Sequence, residues 1–328
     1  MFRKIIIPLF AVILLLIILG WVNIPKAPSA PVTGPGSLEY GHSEVIKTTY
    51  GEGASQYWIY EPGSPKPYSA PIIVFNHGWA ATNPEFYQAW IMHIVRRGNI
   101  VIYPRYQENI FTPSDDFTPN AMDSVKSAIK ELNKGNHVRP QLDKFAIVGH
   151  SVGGIISINM AVLASSNSIP RPKAVFCVQP GKHRTSNDPV GPVLENLSKI
   201  PEETLLITLS GDKDNITGDE DAIKIFKETK QIPWKNKDYV ILKSDIRGHP
   251  ALIADHFAPL AVLRTSYFSV MVNALDYYGT WKLFDGLTDA AFYGVNRDYA
   301  LGNTSNQRYM GTWSDGKSVN KMIVMDKP

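Results

Sequence analysis

The sequence of 328 residues contains little cysteine and little imbalance of charge. Its single cysteine, Cys177, excludes an intramolecular disulfide, and its position in an apolar run predicts a small buried core residue. The 33 basic and 30 acidic residues are interspersed and give a net charge of only +3, so we predict no nucleic-acid partner. With 44% hydrophobic and 19% charged residues, the composition is that of a globular protein, and the length suits one large α/β domain.

Long apolar runs are also scarce, with one exception near the N-terminus. Residues 5–22 are almost uninterruptedly apolar, follow Arg3 and Lys4, and are long enough to cross a bilayer as a helix. We therefore predict that residues 1–23 are a signal anchor or a signal peptide. An uncleaved anchor is favoured because Ala30, the best small residue for cleavage, precedes Pro31. The positive-inside rule then places the rest of the chain on the extracytoplasmic side, periplasmic or extracellular, whereas cleavage would make it secreted.

The remaining chain divides into a linker and one domain. Residues 24–38 are rich in proline and glycine and predict an extended linker, and residues 39–328 predict the domain. Short β-rich runs alternate with amphipathic stretches, which indicates a mostly parallel central sheet flanked by helices. The predicted strands are residues 72–75, 100–103, 145–148, 174–178, 205–209 and 239–242. The predicted helices are residues 84–97, 120–133, 152–164, 219–229 and about 259–277. The aromatic-rich C-terminal extension, about residues 278–328, is either a cap or a tail packed on the sheet edge.

One motif carries most of the chemistry. The strand at 145–148 runs into Gly149, His150, Ser151, Val152 and Gly153, which fits G-x-S-x-G between a strand and an apolar helix. A sharp strand-to-helix turn strains the backbone at the nucleophile, so the flanking residues must lack side chains. The turn places the serine hydroxyl at a helix N-terminus, where backbone amides favour developing negative charge. We predict that Ser151 is a catalytic nucleophile.

A second loop is suited to bind the oxyanion of a tetrahedral intermediate. Asn76, His77, Gly78 and Trp79 follow the strand at 72–75, and such a loop supplies one backbone donor while the residue after the nucleophile supplies another. The predicted donors are the N–H groups of Trp79 and Val152, with Ala80 as the alternative to Trp79. We interpret His77 as hydrogen bonding within the turn, and Trp79 as a further candidate substrate-binding wall for the acyl group.

The acid and the base each have two candidates. Asp212 and Asp214 both follow the strand at 205–209. Asp214 is favoured, because Asp212 stands beside a glycine and an aspartate in that position commonly caps a turn instead. His249 and His256 both follow the last predicted strand. Their spacing of seven residues would suit one helix face, but no third ligand has matching spacing, so we predict no metal site.

Several of these segments together resemble the α/β hydrolases, and among them the bacterial cutinase and polyester-hydrolase branch near the dienelactone-hydrolase-like group. GHSVGG at 149–154 resembles that branch's GHSMGG, and residues 77–90 resemble its oxyanion loop and following helix. SGDKDNIT at 210–217 is similar to the segment that bears its acid, and ADHFAPL at 254–260 is similar to its histidine segment SHFAP. The resemblance therefore favours His256 over His249. The order Ser151, Asp214, His256 is also the order of this fold.

The chain departs from that branch in three places. Residues 245–253 have the character of an insertion, the single cysteine excludes the disulfide that many cutinases carry, and the C-terminal extension has no counterpart. The resemblance implies the α/β-hydrolase fold, here preceded by an N-terminal transmembrane or signal helix, and a Ser-His-Asp triad.

The predicted function is that of a serine hydrolase that cleaves carboxylic esters through an acyl-enzyme and requires no cofactor. The predicted partners are a small-molecule or lipid-like ester and, through residues 1–23, a membrane. A thioesterase, lipase or peptidase with the same triad is the alternative, as is an inactive membrane-tethered binding protein on the same fold. The sequence specifies neither the ester nor the oligomeric state.

Overall fold

A computed structural model describes residues 24–187, 189–261 and 271–325. The predicted signal anchor or signal peptide at residues 1–23 lies outside these ranges. Among the residues that are described, none belongs to a helix that combines the length and apolar character needed to cross a bilayer.

A nine-stranded sheet forms the centre of the domain, in the order β1-β2-β4-β3-β5-β6-β7-β8-β9. The strands are β1 Val45–Tyr50, β2 Tyr57–Pro62, β3 Ser69–Asn76, β4 Ile100–Pro104, β5 Arg139–His150, β6 Ala174–Val178, β7 Leu205–Gly211, β8 Lys237–Leu242 and β9 Ile323–Met325. Strands β3 to β8 are parallel to their neighbours in that series, whereas β1, β2 and β9 pair antiparallel at the two edges. The mostly parallel sheet and its six predicted strands are confirmed.

The three antiparallel strands were not predicted. Strand β1 has the residues VIKTTY, half-buried or exposed throughout, and β9 has three residues of which only Val324 is buried. Such edge strands lack the continuous apolar run that marks a strand buried on both faces. This explains β1 and β9 but not β2, which lies between β1 and β4 and is mostly buried.

Helices cover both faces of the sheet. They are α1 Gln88–Arg96, α2 Phe117–Leu132, α3 Val152–Leu163, α4 Glu220–Glu228, α5 Trp281–Tyr293 and the short α6 Ser305–Arg308. A 3-10 turn at Pro84–Tyr87 leads into α1, and a π-helical segment at Leu275–Thr280 leads into α5. The first four predicted helices are confirmed within a few residues at each end.

The alternation of side chains along the strands divides the core into layers. In β3, Ile73 and Phe75 belong to a cluster with the apolar residues of α1 and α5. Ile72 and Val74 point to the other face and belong to a cluster with residues of α2 and α3. Successive side chains of a strand point to opposite faces, so one strand contributes to both layers. Cys177 is fully buried in a third cluster, between α3, α4 and the sheet, as its apolar surroundings predict.

The predicted helix at about 259–277 is wrong in its described parts. Residues 259–261 form no helix, residues 262–270 lie outside the described ranges, and helical structure begins only near Leu275. The reason is tertiary: the N–H of Ala261 donates to the carbonyl of Phe86, and the carbonyl of Ala261 accepts from Ala89. These bonds take the place of helical ones. The helix that does form continues to Tyr293 and ends at Gly294, which adopts the left-handed conformation that favours glycine.

The C-terminal extension packs on the sheet and also contacts the loop after β8. Helix α5 buries Trp281, Phe284 and Leu287 against one face, and β9 extends the sheet beyond β8. Trp313 is buried and its indole N–H donates to Asp245 across 3.1 Å. The segment that has the character of an insertion is therefore fastened to the extension.

The N-terminal segment at 24–38, the predicted linker, has no helix or strand and is held on the domain. The carbonyl of Pro25 accepts from the N–H of His249 at 3.0 Å, and Lys26 and Ser314 exchange two hydrogen bonds. The N–H of Gly36 donates to the carboxylate of Asp285 at 2.7 Å. The segment is anchored near both of its ends.

Asp285 connects three parts of the fold. Its buried carboxylate lies 2.9 Å from His93 Nε2 and 3.3 Å from Arg97 Nε, besides the bond to Gly36. Burial raises the pKa of this carboxyl, but Arg97 and His93 outweigh that effect and hold the pKa below its usual value. The carboxylate is therefore ionised at neutral pH.

We expect Asp285→Ala to lower the free energy of unfolding by about 3–5 kcal/mol, because it leaves buried partners without their counter-charge. Urea unfolding at neutral pH measures this. The matched control is Asp123→Ala, since the Asp123 side chain is 72% exposed and pairs with Lys126 at the surface; it should change the value by less than about 1 kcal/mol. Equal effects of the two substitutions would contradict the prediction.

Candidate active site

The turn between β5 and α3 has the geometry that the G-x-S-x-G motif predicts. Ser151 has φ 57° and ψ −127°, a conformation that non-glycine residues rarely adopt. A Cβ atom on Gly149 would lie 2.1 Å from the carbonyl oxygen of Gly153, and one on Gly153 would lie 2.3 Å from the carbonyl oxygens of Asn76 and His77. The two glycines are needed because other backbone occupies the space of a side chain.

The structure brings Ser151, His256 and Asp214 together. His256 Nε2 lies 3.1 Å from Ser151 Oγ, and His256 Nδ1 lies 2.8 Å from Asp214 Oδ2. Because a carboxylate only accepts, Nδ1 carries the proton, and Nε2 accepts from the serine hydroxyl. Each of the three residues is at most 8% exposed, so the bonds are shielded from bulk water.

Asp214 is held by more than the histidine. Its Oδ1 accepts from the N–H groups of Ile216 and Thr217, and its Oδ2 accepts also from the hydroxyl of Thr217. Burial alone raises the pKa of Asp214, but the hydrogen bonds from His256 and Thr217 reverse this and lower it from 3.8 to about 2. The carboxylate is therefore charged at neutral pH and fixed in direction.

The alternative acid and base have other surroundings. Asp212 Oδ1 accepts from the N–H and hydroxyl of Ser244, and Oδ2 pairs with Lys243 at 2.9 Å. His249 lies between the bridged residues Asp245 and Leu252, with its N–H on Pro25. Asp212 thus holds the end of β8, and His249 holds the N-terminal segment.

The loop after β3 lies against the serine. A Cβ atom on Gly78 would be 3.3 Å from the Cβ of Ser151. Trp79 and Val152 line the same cavity as Ser151, and within the described residues neither of their N–H groups has a hydrogen-bond acceptor. The alternative donor, the N–H of Ala80, instead donates to Gln107 Oε1 at 3.0 Å.

His77 is buried below this loop. Its Nδ1 lies 2.6 Å from the carbonyl oxygen of Gly78 and its Nε2 lies 2.7 Å from that of Arg105. Its ring stacks on Tyr106 with centroids 4.0 Å apart. Burial lowers its pKa to about 4 although the two carbonyl oxygens act in the opposite direction, so the ring is neutral at physiological pH and its one N–H donates to only one of the two carbonyls. These contacts fit the predicted bonding within the turn.

A chain of buried hydrogen bonds joins the loops around the serine. The N–H of Gly78 donates to Tyr87 Oη at 2.9 Å, Tyr87 Oη lies 2.8 Å from His150 Nδ1, and His150 Nε2 lies 2.9 Å from the carbonyl oxygen of His256. A carbonyl only accepts, so His150 Nε2 carries the proton and Nδ1 accepts from the tyrosine hydroxyl. Burial lowers the pKa of His150 to about 3, which keeps it neutral and fixes every donor along the chain.

The cavity beside Ser151 has a volume of about 460 Å3, within the range of small-molecule sites. Apolar side chains form much of its wall, and polar groups lie near the serine. The wall includes the apolar side chains of Trp79, Ile110, Phe117, Val190 and Ile216. Such a wall suits an apolar acyl or alkyl group. No cluster that could hold a metal ion is found in the part of the chain that the structure describes.

Sequence reasoning missed several supporting residues. Thr217 stands three positions after Asp214, a spacing typical of a carboxylate that caps its own turn, and this signal was available. His150 lies within the motif, but nothing in the sequence marks its pairing with Tyr87. Gln107 has no sequence signal, because its role arises from a contact between loops.

Comparison with known proteins agrees with this fold. The chlorophyllase family model matches residues 36–198, a range that includes the loop after β3 and Ser151 but ends before Asp214 and His256. With the fold described above, this match supports an α/β-hydrolase family for the chain.

Among curated proteins, it is similar to Chlorophyllase-2 of Arabidopsis thaliana, with 29% identity over 157 residues. The matched part is 43% of this chain and 46% of that protein, so the similarity spans less than half of the relative. The cutinase branch in particular stays a prediction.

We expect Tyr87→Phe to lower the free energy of unfolding by about 1–3 kcal/mol, because it leaves the N–H of Gly78 and His150 Nδ1 buried without a partner. Ester hydrolysis should also slow, since the loop with the predicted oxyanion donors loses a support. Tyr68→Phe is the control because Tyr68 is 80% exposed. An equal free energy of unfolding for Tyr87→Phe and Tyr68→Phe would show that the buried chain of hydrogen bonds does not stabilise the fold.

Proposed function

We propose that the chain is a carboxylic ester hydrolase in which Ser151 is the nucleophile, His256 the general base and Asp214 the supporting acid. The observation that carries this proposal is the pair of bonds at His256: 3.1 Å to Ser151 Oγ and 2.8 Å to Asp214 Oδ2. A hydroxyl, an imidazole and a carboxylate in this order form the arrangement that activates serine for acyl transfer. The similarity to a protein named Chlorophyllase-2 supports hydrolysis on this fold.

In the proposed reaction, the hydroxyl of Ser151 attacks the ester carbonyl while His256 Nε2 takes its proton. The imidazolium then donates that proton to the leaving alcohol as the carbon–oxygen bond breaks, which leaves an acyl group on Ser151. Water attacks the acyl-enzyme with His256 again as base, and the released acid restores the serine. Asp214 stabilises the positive charge on His256 in both halves.

Backbone amides would stabilise the oxyanion of each tetrahedral intermediate. The N–H groups of Trp79 and Val152 are the proposed donors, and their lack of acceptors within the described residues supports this. Removing one such donor costs about 2.7–4 kcal/mol in other enzymes. The bond from Ala80 to Gln107 and the bond from Gly78 to Tyr87 would hold the loop ready before the substrate binds.

We expect Ser151→Ala to abolish covalent labelling by a fluorophosphonate and to lower hydrolysis of p-nitrophenyl acetate by at least roughly 1000-fold. Peptide mass mapping of the labelled wild type should place the phosphonate on Ser151. Ser198→Ala, a change at an exposed serine, is the control and should label normally. A folded Ser151→Ala protein with full activity would sink the proposal.

We expect Asp214→Asn to slow hydrolysis by roughly 10,000-fold, because an amide does not favour the histidine tautomer with a proton on Nδ1. The substitution also has an expected effect on acid stability. The folded-state pKa of Asp214 is lowered from 3.8 to about 2, so its stabilisation is present above 3.8 and is lost as the pH falls towards 2.

The variant should therefore lose less stability than the wild type over that interval, as urea unfolding at several pH values would measure. Asp212→Asn is the matched control for activity, since Asp212 bonds Ser244 and Lys243 rather than His256. A larger loss of activity in the Asp212 variant would reverse the assignment of the acid.

A further inference from the structure

Large apolar side chains are exposed along one edge of the sheet. The loops that follow β3, β4, β6, β7 and β8 at their carboxyl ends each present at least one. We call these seven residues the apolar rim: Trp79, Ile110, Phe111, Val190, Ile216, Ile246 and Phe257. Phe111 is 84% exposed and Ile246 is 80% exposed. Exposed apolar residues grouped in this way mark a surface that binds another apolar surface.

The apolar rim surrounds the opening of the candidate active site. Four of its members, Trp79, Ile110, Val190 and Ile216, line the cavity that contains Ser151. The ring of Phe257 lies 5.9 Å from that of His256. A surface that covers the rim would therefore also face the ester-binding cavity.

The N-terminal segment joins the domain at this same edge. Pro25 lines a surface depression together with Lys213, the neighbour of Asp214, and with Ile246 of the apolar rim. Its carbonyl accepts from His249, and Lys26 is bonded to Ser314, so the domain holds the chain from this point on. The described chain thus begins beside the loop that carries Asp214.

The sequence that precedes this point is the apolar run at residues 5–22. Only Asn23 and Ile24 separate it from Pro25, and two residues of fully extended chain span about 7 Å. This length of chain is far shorter than the width of the domain. If the run enters a bilayer, the edge of the sheet with the apolar rim must lie at the surface of that bilayer.

From these placements we propose that a lipid bilayer covers the apolar rim, and that the ester substrate enters the cavity from the lipid phase. The substrate class is then an ester with a hydrocarbon chain dissolved in the membrane. The inference rests on the proposed function for the hydrolytic step, but the docking of the rim is a separate claim. Burial of apolar side chains in the interface would supply its free energy.

The docking can be tested with an introduced cysteine, because Cys177 is fully buried and should not react with a label. The full chain is reconstituted in phosphatidylcholine vesicles that contain lipid with brominated acyl chains. Phe111→Cys and Ile246→Cys carry an environment-sensitive fluorophore, and Tyr68→Cys is the matched control. Tyr68 is 80% exposed and directly precedes β3, so it lies at the opposite edge of the sheet.

We expect the brominated chains to quench the label at positions 111 and 246 and to leave the label at position 68 unchanged. Equal quenching at all three positions, or none at any, would overturn the docking. Fluorophosphonate labelling of the same samples reports the proposed function independently of the docking. Quenching of the rim without labelling would leave the docking intact and refute the hydrolase, and labelling without quenching would do the reverse.

Access from the lipid phase needs a second measurement. The rates of hydrolysis of 4-methylumbelliferyl oleate in phosphatidylcholine vesicles and of 4-methylumbelliferyl acetate in water are compared as a ratio, which cancels loss of folded protein. We expect Phe111→Asp to lower this ratio about tenfold, because a charge at the rim opposes burial in the interface. Tyr68→Asp should leave the ratio unchanged. An unchanged ratio in the Phe111 variant would overturn substrate access from the bilayer.

Discussion

The architecture of the site depends on a close backbone contact between the first turn of α3, which follows Ser151, and the end of β3. Gly153, in the first turn of α3, lies so near the carbonyl oxygens of Asn76 and His77 that no side chain fits between them. Gly149 meets Gly153 in the same way. This contact forces the sharp turn, holds Ser151 at a positive φ, and brings the loop of Trp79 beside the serine. Without it, β5 and α3 could not present a hydroxyl and two amides to one point.

Hydrogen bonds then connect loops that leave different strands. Asp214 follows β7, His256 follows β8, and Ser151 follows β5, and parallel strands bring their carboxyl ends to one edge. The bonds from Gly78 through Tyr87 and His150 to the carbonyl of His256 tie the loop after β3 to the loop after β8. The two side chains that make this connection, Tyr87 and His150, are neutral, because burial lowers the pKa of His150 to about 3.

The outer surface of the same edge has a different character. Large apolar side chains of the apolar rim are exposed there around the cavity. The segment at 24–38, although as rich in proline and glycine as a flexible tether, is bonded to Ser314, His249 and Asp285. Its attachment means that the fold, rather than a free linker, sets where the described chain begins relative to the site.

The sequence by itself determined the parallel strands, four helices, the serine motif and the order of serine, acid and base, because each leaves a local pattern in apolar spacing or in glycine placement. It favoured Asp214 and His256 but left Asp212 and His249 possible, since a loop sequence does not state which side chain faces the serine. Only the tertiary structure places Asp214 and His256, rather than Asp212 and His249, beside Ser151. It alone also decided the edge strands, the start of the helix near Leu275, and the roles of Tyr87 and Gln107. Each of these depends on contacts between residues distant in the chain, and such contacts leave no periodic signal in the residues that make them.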